Sequence, residues 1–158
     1  MTLPSQWPSA GLVLVAPGGV RPMAARPWDG LLGLRSAALA CDADHDPARL
    51  LGPWLEQEPG WLAVLPVDPG ADLAVPGCWA EALAAWRQPV LLQIPAAWID
   101  GGAARAYTAL LQQAGVPLVG LVQLGGTWQP EVRRRDGLPW LRSEEHTSEL
   151  QSQFRISY

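Results

Sequence analysis

The chain has 158 residues, of which 49% are hydrophobic, and its formal net charge is −4 at pH 7. This acidic balance, with no basic cluster beyond residues 133–135, argues against a nucleic-acid-binding protein. No apolar run is long enough to cross a bilayer and no leader pattern opens the chain, so we expect a cytoplasmic protein without membrane association. The sequence contains no lysine, which excludes Schiff-base lysine chemistry and a phosphate-loop lysine from this chain.

The segment at residues 142–158 (RSEEHTSELQSQFRISY) differs in character from the rest of the chain. Its first part, RSEEHTSELQS, resembles the translation of a short-read sequencing adapter, and the one phenylalanine of the chain, Phe154, lies in this segment. We therefore interpret residues 142–158 as an artefactual, non-native tail in which no residue is a candidate for a site. Residues 1–141 are then expected to form a single α/β domain, a fragment truncated at its C-terminus.

The first predicted elements are two strands. The apolar run GLVLVA at residues 11–16 predicts the first strand, and a Pro-Gly-Gly turn follows it. Residues 20–34 contain two prolines and show no clear period, so we expect a loop there. RSAALAC at residues 35–41 predicts a second strand, which ends in the polar cluster of residues 42–46.

A helix and a third strand come next. Asp46 followed by Pro47 is typical of a helix N-cap and first helical position. We expect Gly52-Pro53 to break this helix or to restart it, because proline removes a backbone donor inside a helix. WLAVLPV at residues 61–67 predicts the third strand, and a loop follows it.

The next helix is predicted at residues 77–87, where Trp79, Leu83 and Trp86 recur at helical spacing on one apolar face. After it, residues 88–124 read as strand, helix and strand, the layout of a βαβ unit with parallel strands.

The helix of this unit has its own start and stop signals. Asp100 is the predicted N-cap, and Gly115 is the predicted left-handed residue that ends the helix. Between them an apolar stripe predicts the buried face, formed by Ala103, Ala104, Tyr107, Leu110, Leu111 and Ala114.

Beyond this unit we expect a loop with a short helix after Pro130, and a further strand beginning at residues 138–141. Strands that read as continuous apolar runs and alternate with helices indicate a parallel sheet buried on both faces. The predicted fold class is therefore α/β: a three-layer, mostly parallel sheet with helices on both faces, P-loop- or Rossmann-like and truncated at its C-terminus.

Three stretches of residues 61–141 carry a resemblance to a known family, namely WLAVLPVDPGADLAVP, QPVLLQIPAAWIDGGAARAYTALLQQAGVPLVGLVQL and DGLPWL. Their layout and apolar pattern resemble the second half of dethiobiotin synthetase-like P-loop proteins. The resemblance implies a nucleotide-binding fold, but the loop after the first strand, PGGVRPMA, lacks the family's lysine and its following Ser or Thr. Leu124, with Gln123 beside it, stands where the family has a base-reading asparagine. The resemblance therefore implies a dismantled nucleotide site, unless the full gene restores a P-loop and with it a ligase or ATPase.

Ligands of open parallel sheets bind beyond the carboxyl ends of the strands. That rule nominates a set of ligand-binding candidates, namely Gly18, Gly19, Asp42, Asp68, Asp72, Asp100, Gly125 and Gly126. Gly18 and Gly19 could hold an anion with their amides, but we favour a plain turn, which needs no ligand. Asp68 and Asp72 could be an acid/base pair, but we favour the end of a strand and its turn.

The cluster Asp42, Asp44, His45 and Asp46 could bind a divalent cation, or it could be a solvated loop with a helix cap. We favour the loop, because one local cluster supplies poor geometry for a ligand set. Cys41 and Cys78 match no metal or redox spacing, so both are expected to be reduced and buried. The sequence thus assigns neither a catalytic residue nor a metal or cofactor.

Two functions follow from these observations. The first is a degenerate P-loop-like relative that acts as a binding or accessory protein, with a small-molecule anion or a protein as partner. The second is an enzyme with a small-molecule or metal site at the strand ends, which would use Asp68, Asp72 or residues 42–46.

Overall fold

The computed structural model describes residues 11–21, 34–38, 46–58 and 60–141. Five strands and four helices lie in these ranges: β1 (Leu12–Val15), β2 (Arg35–Ala38), α1 (Pro47–Leu55), β3 (Trp61–Val64), α2 (Trp79–Ala85), β4 (Val90–Pro95), α3 (Ala103–Ala114), β5 (Leu118–Leu124) and α4 (Pro130–Asp136). A short 3₁₀ helix, Ala96–Trp98, follows β4. Asp42, Asp44, His45 and the tail at residues 142–158 lie outside the described residues.

The strands form one sheet in the order β2-β3-β1-β4-β5, and every neighbouring pair is parallel. This confirms the predicted parallel α/β architecture. The strand predicted at residues 138–141 is reduced to a single parallel bridge between Trp140 and Leu121, at the outer edge of β5. The backbone N–H of Leu121 donates to the carbonyl of Pro139 at 2.9 Å, and that of Leu141 donates to the carbonyl of Leu121 at 2.7 Å.

Apolar side chains are buried on both faces of the sheet. Along β1 the side chains alternate, so that Val13 and Val15 join one buried cluster while Leu12 and Leu14 join the other. The first cluster also contains buried residues of three helices, namely Leu51, Trp79, Leu83, Ala104 and Leu111. The second contains Leu62, Val64, Leu91, Val122 and Val20. The sheet is therefore buried on both faces, which is consistent with a three-layer α/β fold, and α1, α2 and α3 cover one of these faces.

Helix α1 begins as predicted but does not break at proline. The Asp46 carboxylate caps it by accepting the N–H of Ala48 at 3.0 Å. The helix then continues through Pro53 to Leu55, so the predicted break is wrong. Pro53 lies in the last turn, where its missing N–H removes only one helical hydrogen bond. Burial of Leu51, and packing of Trp54 on Trp61 with ring centroids 5.0 Å apart, hold this turn against the core.

Helix α2 starts at Trp79, two residues later than predicted. Cys78 is the N-cap residue and a free thiol, and its backbone N–H donates to the carboxylate of Glu81 at 3.0 Å. Cys78 is only half-buried, so its predicted burial is wrong. Trp79 and Leu83 are fully buried and Trp86 packs on the same cluster, which confirms the predicted apolar face. None of the described helices has the length and apolar character needed to span a membrane.

Candidate functional site

The connections of the sheet identify where a ligand would bind. From β1 the chain continues to β2 at one edge of the sheet, whereas from β4 it continues to β5 at the opposite edge. The carboxyl ends of β1 and β4 therefore flank the crevice at which open parallel sheets bind their ligands. The turn after β1 and the first turns of α3 lie at this edge, and the loop after β3 joins them.

The turn after β1 contains two glycines that the backbone geometry requires. Gly18 and Gly19 have φ of +74° and +94°, and the N–H of Gly19 closes the turn on the carbonyl of Ala16 at 2.9 Å. A Cβ at Gly19 would lie only 2.3 Å from the carbonyl oxygen of Pro66. The absence of a side chain thus lets this turn lie directly against the backbone that follows β3.

That close approach brings Gly18 to the carboxylate of Asp68. The N–H of Gly18 donates to Asp68 Oδ2 at 2.7 Å, and the N–H of Gly70 donates to Oδ1 at 2.7 Å. The Tyr107 hydroxyl donates a short hydrogen bond to the same Oδ2. We call these four residues, Gly18, Asp68, Gly70 and Tyr107, the Asp68 cluster. Two backbone amides and one phenol thus surround a single half-buried carboxylate.

Tyr107 is held in its protonated form. Burial raises the pKa of its hydroxyl to about 12, and the hydrogen bond to Asp68 and the negative charge of Asp68 add to this, while the N–H of Gly18 opposes it. At neutral pH the hydroxyl is therefore a hydrogen-bond donor to an anion, not a nucleophile or a base.

The sequence predicted Tyr107 only as part of the apolar stripe of α3. One signal was present, since it is the one side chain of that stripe with a polar end, and it lies near the start of the helix that follows β4. Its partial burial agrees with the predicted stripe, in which Ala104 and Leu111 are buried. Gly70 lies in the turn that the sequence predicted at Asp68-Pro69-Gly70, and an Asp side chain in such a turn commonly accepts the N–H two residues on, which is the bond observed here.

The structure does not bring Asp72 into this cluster. Asp72 is exposed, and its backbone forms an isolated antiparallel bridge with Cys78. The hydrogen-bond donors to Asp68 come from Gly18, Gly70 and Tyr107 instead. The described contacts therefore contain no hydrogen bond that would join Asp68 and Asp72 as an acid/base pair.

Asp100 is exposed and does not cap α3, so this prediction is wrong. The helix begins at Ala103 with Gly102 in the N-cap position, and no side chain makes a capping hydrogen bond. The 3₁₀ helix Ala96–Trp98 occupies the segment after β4, which leaves Asp100 two positions before the N-cap. A capping carboxylate must reach the second or third amide of the helix, and Asp100 is too far back. The predicted end of α3 at Gly115, with φ of +89°, is confirmed.

Gly125 and Gly126 form a second turn, beyond β5, with φ of +74° and +73°. The buried Gln123 holds this turn, because its side-chain amide donates to the carbonyls of Gly125 at 2.8 Å and Thr127 at 3.3 Å. A Cβ at Gly126 would lie 3.1 Å from the Cβ of Ala96, so this turn packs against the end of β4. The amide donors of Gln123 thus serve the loop itself.

In the described part of the chain, no group of three or more His, Cys, Asp or Glu side chains could hold a metal ion. Asp46, the described member of the predicted acidic cluster, caps α1 as the sequence predicted.

The chain was compared with protein-family models, with curated proteins and with solved structures. No family model, curated protein or solved structure matches it, so the resemblance of residues 61–141 to dethiobiotin synthetase-like proteins stays a prediction.

Proposed function

We propose that this chain is a binding or accessory protein on a P-loop-like layout, without standard ATP-binding chemistry. The observation that carries the proposal is the contact between Gly18 and Asp68. In a phosphate-binding loop the backbone amides after the first strand point at the phosphate. Here the amide of Gly18 donates to a carboxylate of the protein itself.

Electrostatics favour the same conclusion. A phosphate placed at this turn would meet the Asp68 carboxylate, and two like unit charges about 4 Å apart repel by roughly 4 kcal/mol at an effective dielectric constant near 20. The sequence contains no lysine to offset that repulsion. Arg21 is exposed at the end of the described turn and could contact a phosphate, but as a planar fork rather than as the point charge that a phosphate-loop lysine supplies.

The donors of the Asp68 cluster suit a small anion that takes the place of the Asp68 carboxylate, rather than one that binds beside it. Gly18, Gly70 and Tyr107 all donate to one carboxylate, so a ligand carboxylate of similar size could be held there in exchange for Asp68. A small-molecule anion or an acidic side chain of a protein partner would both satisfy this donor set.

The alternative is an enzyme with its ligand at the strand ends. The pairing of Asp68 with a protonated Tyr107 in the expected crevice favours it, since carboxylate and phenol pairs move protons in many active sites. However, three donors already contact the oxygens of Asp68, so a substrate would have to displace one of them to reach this carboxylate. We therefore place the binding function first.

A thermal-shift experiment on the full chain separates the two. The ligands are ATP and GTP with and without Mg²⁺, and Mg²⁺ or Mn²⁺ alone. A nucleotide present at 100 times its Kd adds about 2.7 kcal/mol of stability, which raises the Tm by several degrees. We expect no shift with any of these ligands. Stabilisation by a nucleotide or a metal would contradict the binding function and favour the enzyme.

Two matched variants sharpen the experiment. Asp68→Asn removes the internal negative charge while keeping the shape of the side chain, and Asp72→Asn makes the same change at an exposed position outside the cluster. We expect acetate or inorganic phosphate to stabilise Asp68→Asn more than either the wild type or Asp72→Asn. Equal responses of the three proteins would show that Asp68 does not occupy an anion site.

A further inference from the structure

A second region of the molecule has the features of a ligand site, and it shares no residue with the Asp68 cluster. A cavity of about 430 Å³ lies between α4 and the segment at residues 138–141. Its principal walls are Trp128, Arg133, Arg134, Leu138 and Trp140. This volume falls within the range of roughly 300–1,000 Å³ that is typical of small-molecule sites. We call it the Trp128–Trp140 cavity.

The cavity presents flat aromatic surface. The rings of Trp128 and Trp140 meet edge to face, with centroids 6.0 Å apart and planes at 74°. The indole N–H of Trp140 donates to Asp136 Oδ2 at 2.8 Å, which fixes the orientation of this ring. The guanidinium of Arg133 lies over the Trp140 ring, 5.1 Å from its centroid. A cation and two indoles are thus held side by side.

Arg133 has more hydrogen-bond donors than acceptors to receive them. Its side chain is only 9% exposed, and the acceptor that it contacts among the described residues is Asp136, with Nη1 3.3 Å from Oδ2. Its Nε is enclosed without a partner, and its Nη2 makes no hydrogen bond to any described residue. Asp136 is already engaged, since Trp140 donates to Oδ2 and the N–H of Leu138 donates to Oδ1 at 3.0 Å. A buried donor without an acceptor is costly, so the unpartnered Nε makes an additional acceptor beside Arg133 favourable.

The charges around the cavity indicate how much negative charge that acceptor carries. Arg134 pairs with Glu131 at 3.2 Å and Arg133 lies beside Asp136, so most of the positive charge of α4 is neutralised within the helix. The remaining demand is for hydrogen-bond acceptors rather than for several negative charges. A carboxylate meets it, because two oxygens match the planar fork of a guanidinium. The indoles Trp128 and Trp140 would face the apolar part of the same ligand.

We propose that the Trp128–Trp140 cavity binds a small aromatic carboxylate, whose carboxylate contacts Arg133 and whose ring packs on Trp128 and Trp140. This site is independent of the proposed function at the Asp68 cluster. It gives the protein a second ligand class, with aromatic stacking and a single negative charge as its recognition features.

The test is isothermal titration calorimetry of the full chain with 2-naphthoate and with its neutral counterpart 2-naphthamide. We expect 2-naphthoate to bind at least about tenfold more tightly, because only the carboxylate provides a charge-assisted acceptor for Arg133. Inorganic phosphate, which has no ring, is expected not to compete. Equal affinity of the two naphthalene compounds, no binding of 2-naphthoate, or competition by phosphate would each overturn the proposal.

Variants locate the site. Arg133→Lys keeps the charge but loses the fork and is expected to weaken 2-naphthoate at least about tenfold, and Trp128→Leu is expected to weaken both compounds. Arg135→Gln is the matched control, because Arg135 is exposed on the same helix and does not line the cavity. Circular dichroism melting confirms that each variant is folded. If Arg133→Lys does not fold, Trp128→Leu together with the wild-type comparison decides. Unchanged binding in Trp128→Leu, or a loss in Arg135→Gln equal to that in Trp128→Leu, would place the ligand elsewhere.

Discussion

The two glycines of the turn after β1 offer a sharp test of the fold around the Asp68 cluster. Both have positive φ, at +74° for Gly18 and +94° for Gly19, so alanine at either position is strained by the backbone alone. They differ in surroundings. A Cβ at Gly18 would meet nothing within 4 Å, whereas a Cβ at Gly19 would lie 2.3 Å from the oxygen and 2.6 Å from the carbon of the Pro66 carbonyl, and 2.9 Å from Cα of Val67.

The expected costs follow from this difference. Gly18→Ala should destabilise the fold by about 1–2 kcal/mol, the cost of the left-handed conformation for a residue with a Cβ. Gly19→Ala should lose a further 2 kcal/mol or so, because overpacking costs roughly 1–3 kcal/mol and the clashing atoms belong to backbone that cannot rotate away. The backbone next to Pro66 is held by the bond from the N–H of Val20 to the carbonyl of Leu65 at 2.8 Å.

Urea denaturation of the wild type and both variants, followed by circular dichroism, measures these costs. The comparison of the two variants matters more than either value, since the conformational penalty is common to both and the contact with Pro66 is not. Equal destabilisation of Gly18→Ala and Gly19→Ala would refute the close approach of the turn to the backbone after β3. The hydrogen bond between Gly18 and Asp68 would then need another structural explanation.

Three further outcomes are expected. Asp68→Asn should destabilise the fold by about 1–3 kcal/mol in urea denaturation, since three donors lose a charged acceptor, whereas the exposed Asp72→Asn should stay within about 0.5 kcal/mol of the wild type. Because the pKa of Tyr107 is raised from 10.0 to about 12, its protonated hydroxyl contributes stability fully below pH 10, and this contribution is lost as the pH rises through 12. The stability difference between the wild type and Tyr107→Phe should therefore shrink between pH 10 and pH 12, and a difference that stays constant over that window would contradict the raised pKa. Leu83→Ala, which empties a fully buried position, should lower the free energy of unfolding by about 2–5 kcal/mol, while Val75→Ala at a 41% exposed position should change it by less than about 0.5 kcal/mol. Similar urea midpoints for the two variants would argue against the packing of α2 on the sheet.

Local sequence rules predicted most elements of the sheet and of the helices that cover it. β1 and β3 are fully buried runs of four apolar residues, and such runs are what a strand covered on both faces requires. The start of α1 at Pro47 and the end of α3 at Gly115 follow from backbone chemistry that acts within a few residues. The same rules failed where packing outweighed them. Pro53 stays inside α1 because the helix is held against the core.

The candidate site was predicted only in part, because its members are far apart in the sequence. The rule about strand ends nominated Gly18 and Asp68 separately, but the sequence carried no information on their contact across a separation of 50 residues. Tyr107, 39 residues beyond Asp68, was expected in the core. Gln123 likewise holds its own loop rather than remaining available to a ligand.

The sequence by itself determined that this chain forms a parallel α/β sheet and that a lysine-dependent phosphate loop is absent, because periodicity and composition are local properties. Only the tertiary structure decided which groups meet. Pairing of β3 beside β1 brings the Asp68 carboxylate to the amide of Gly18, and the crossover through α3 adds the hydroxyl of Tyr107. Strand order is set by how whole elements bury their apolar faces together, and no single stretch of sequence encodes it.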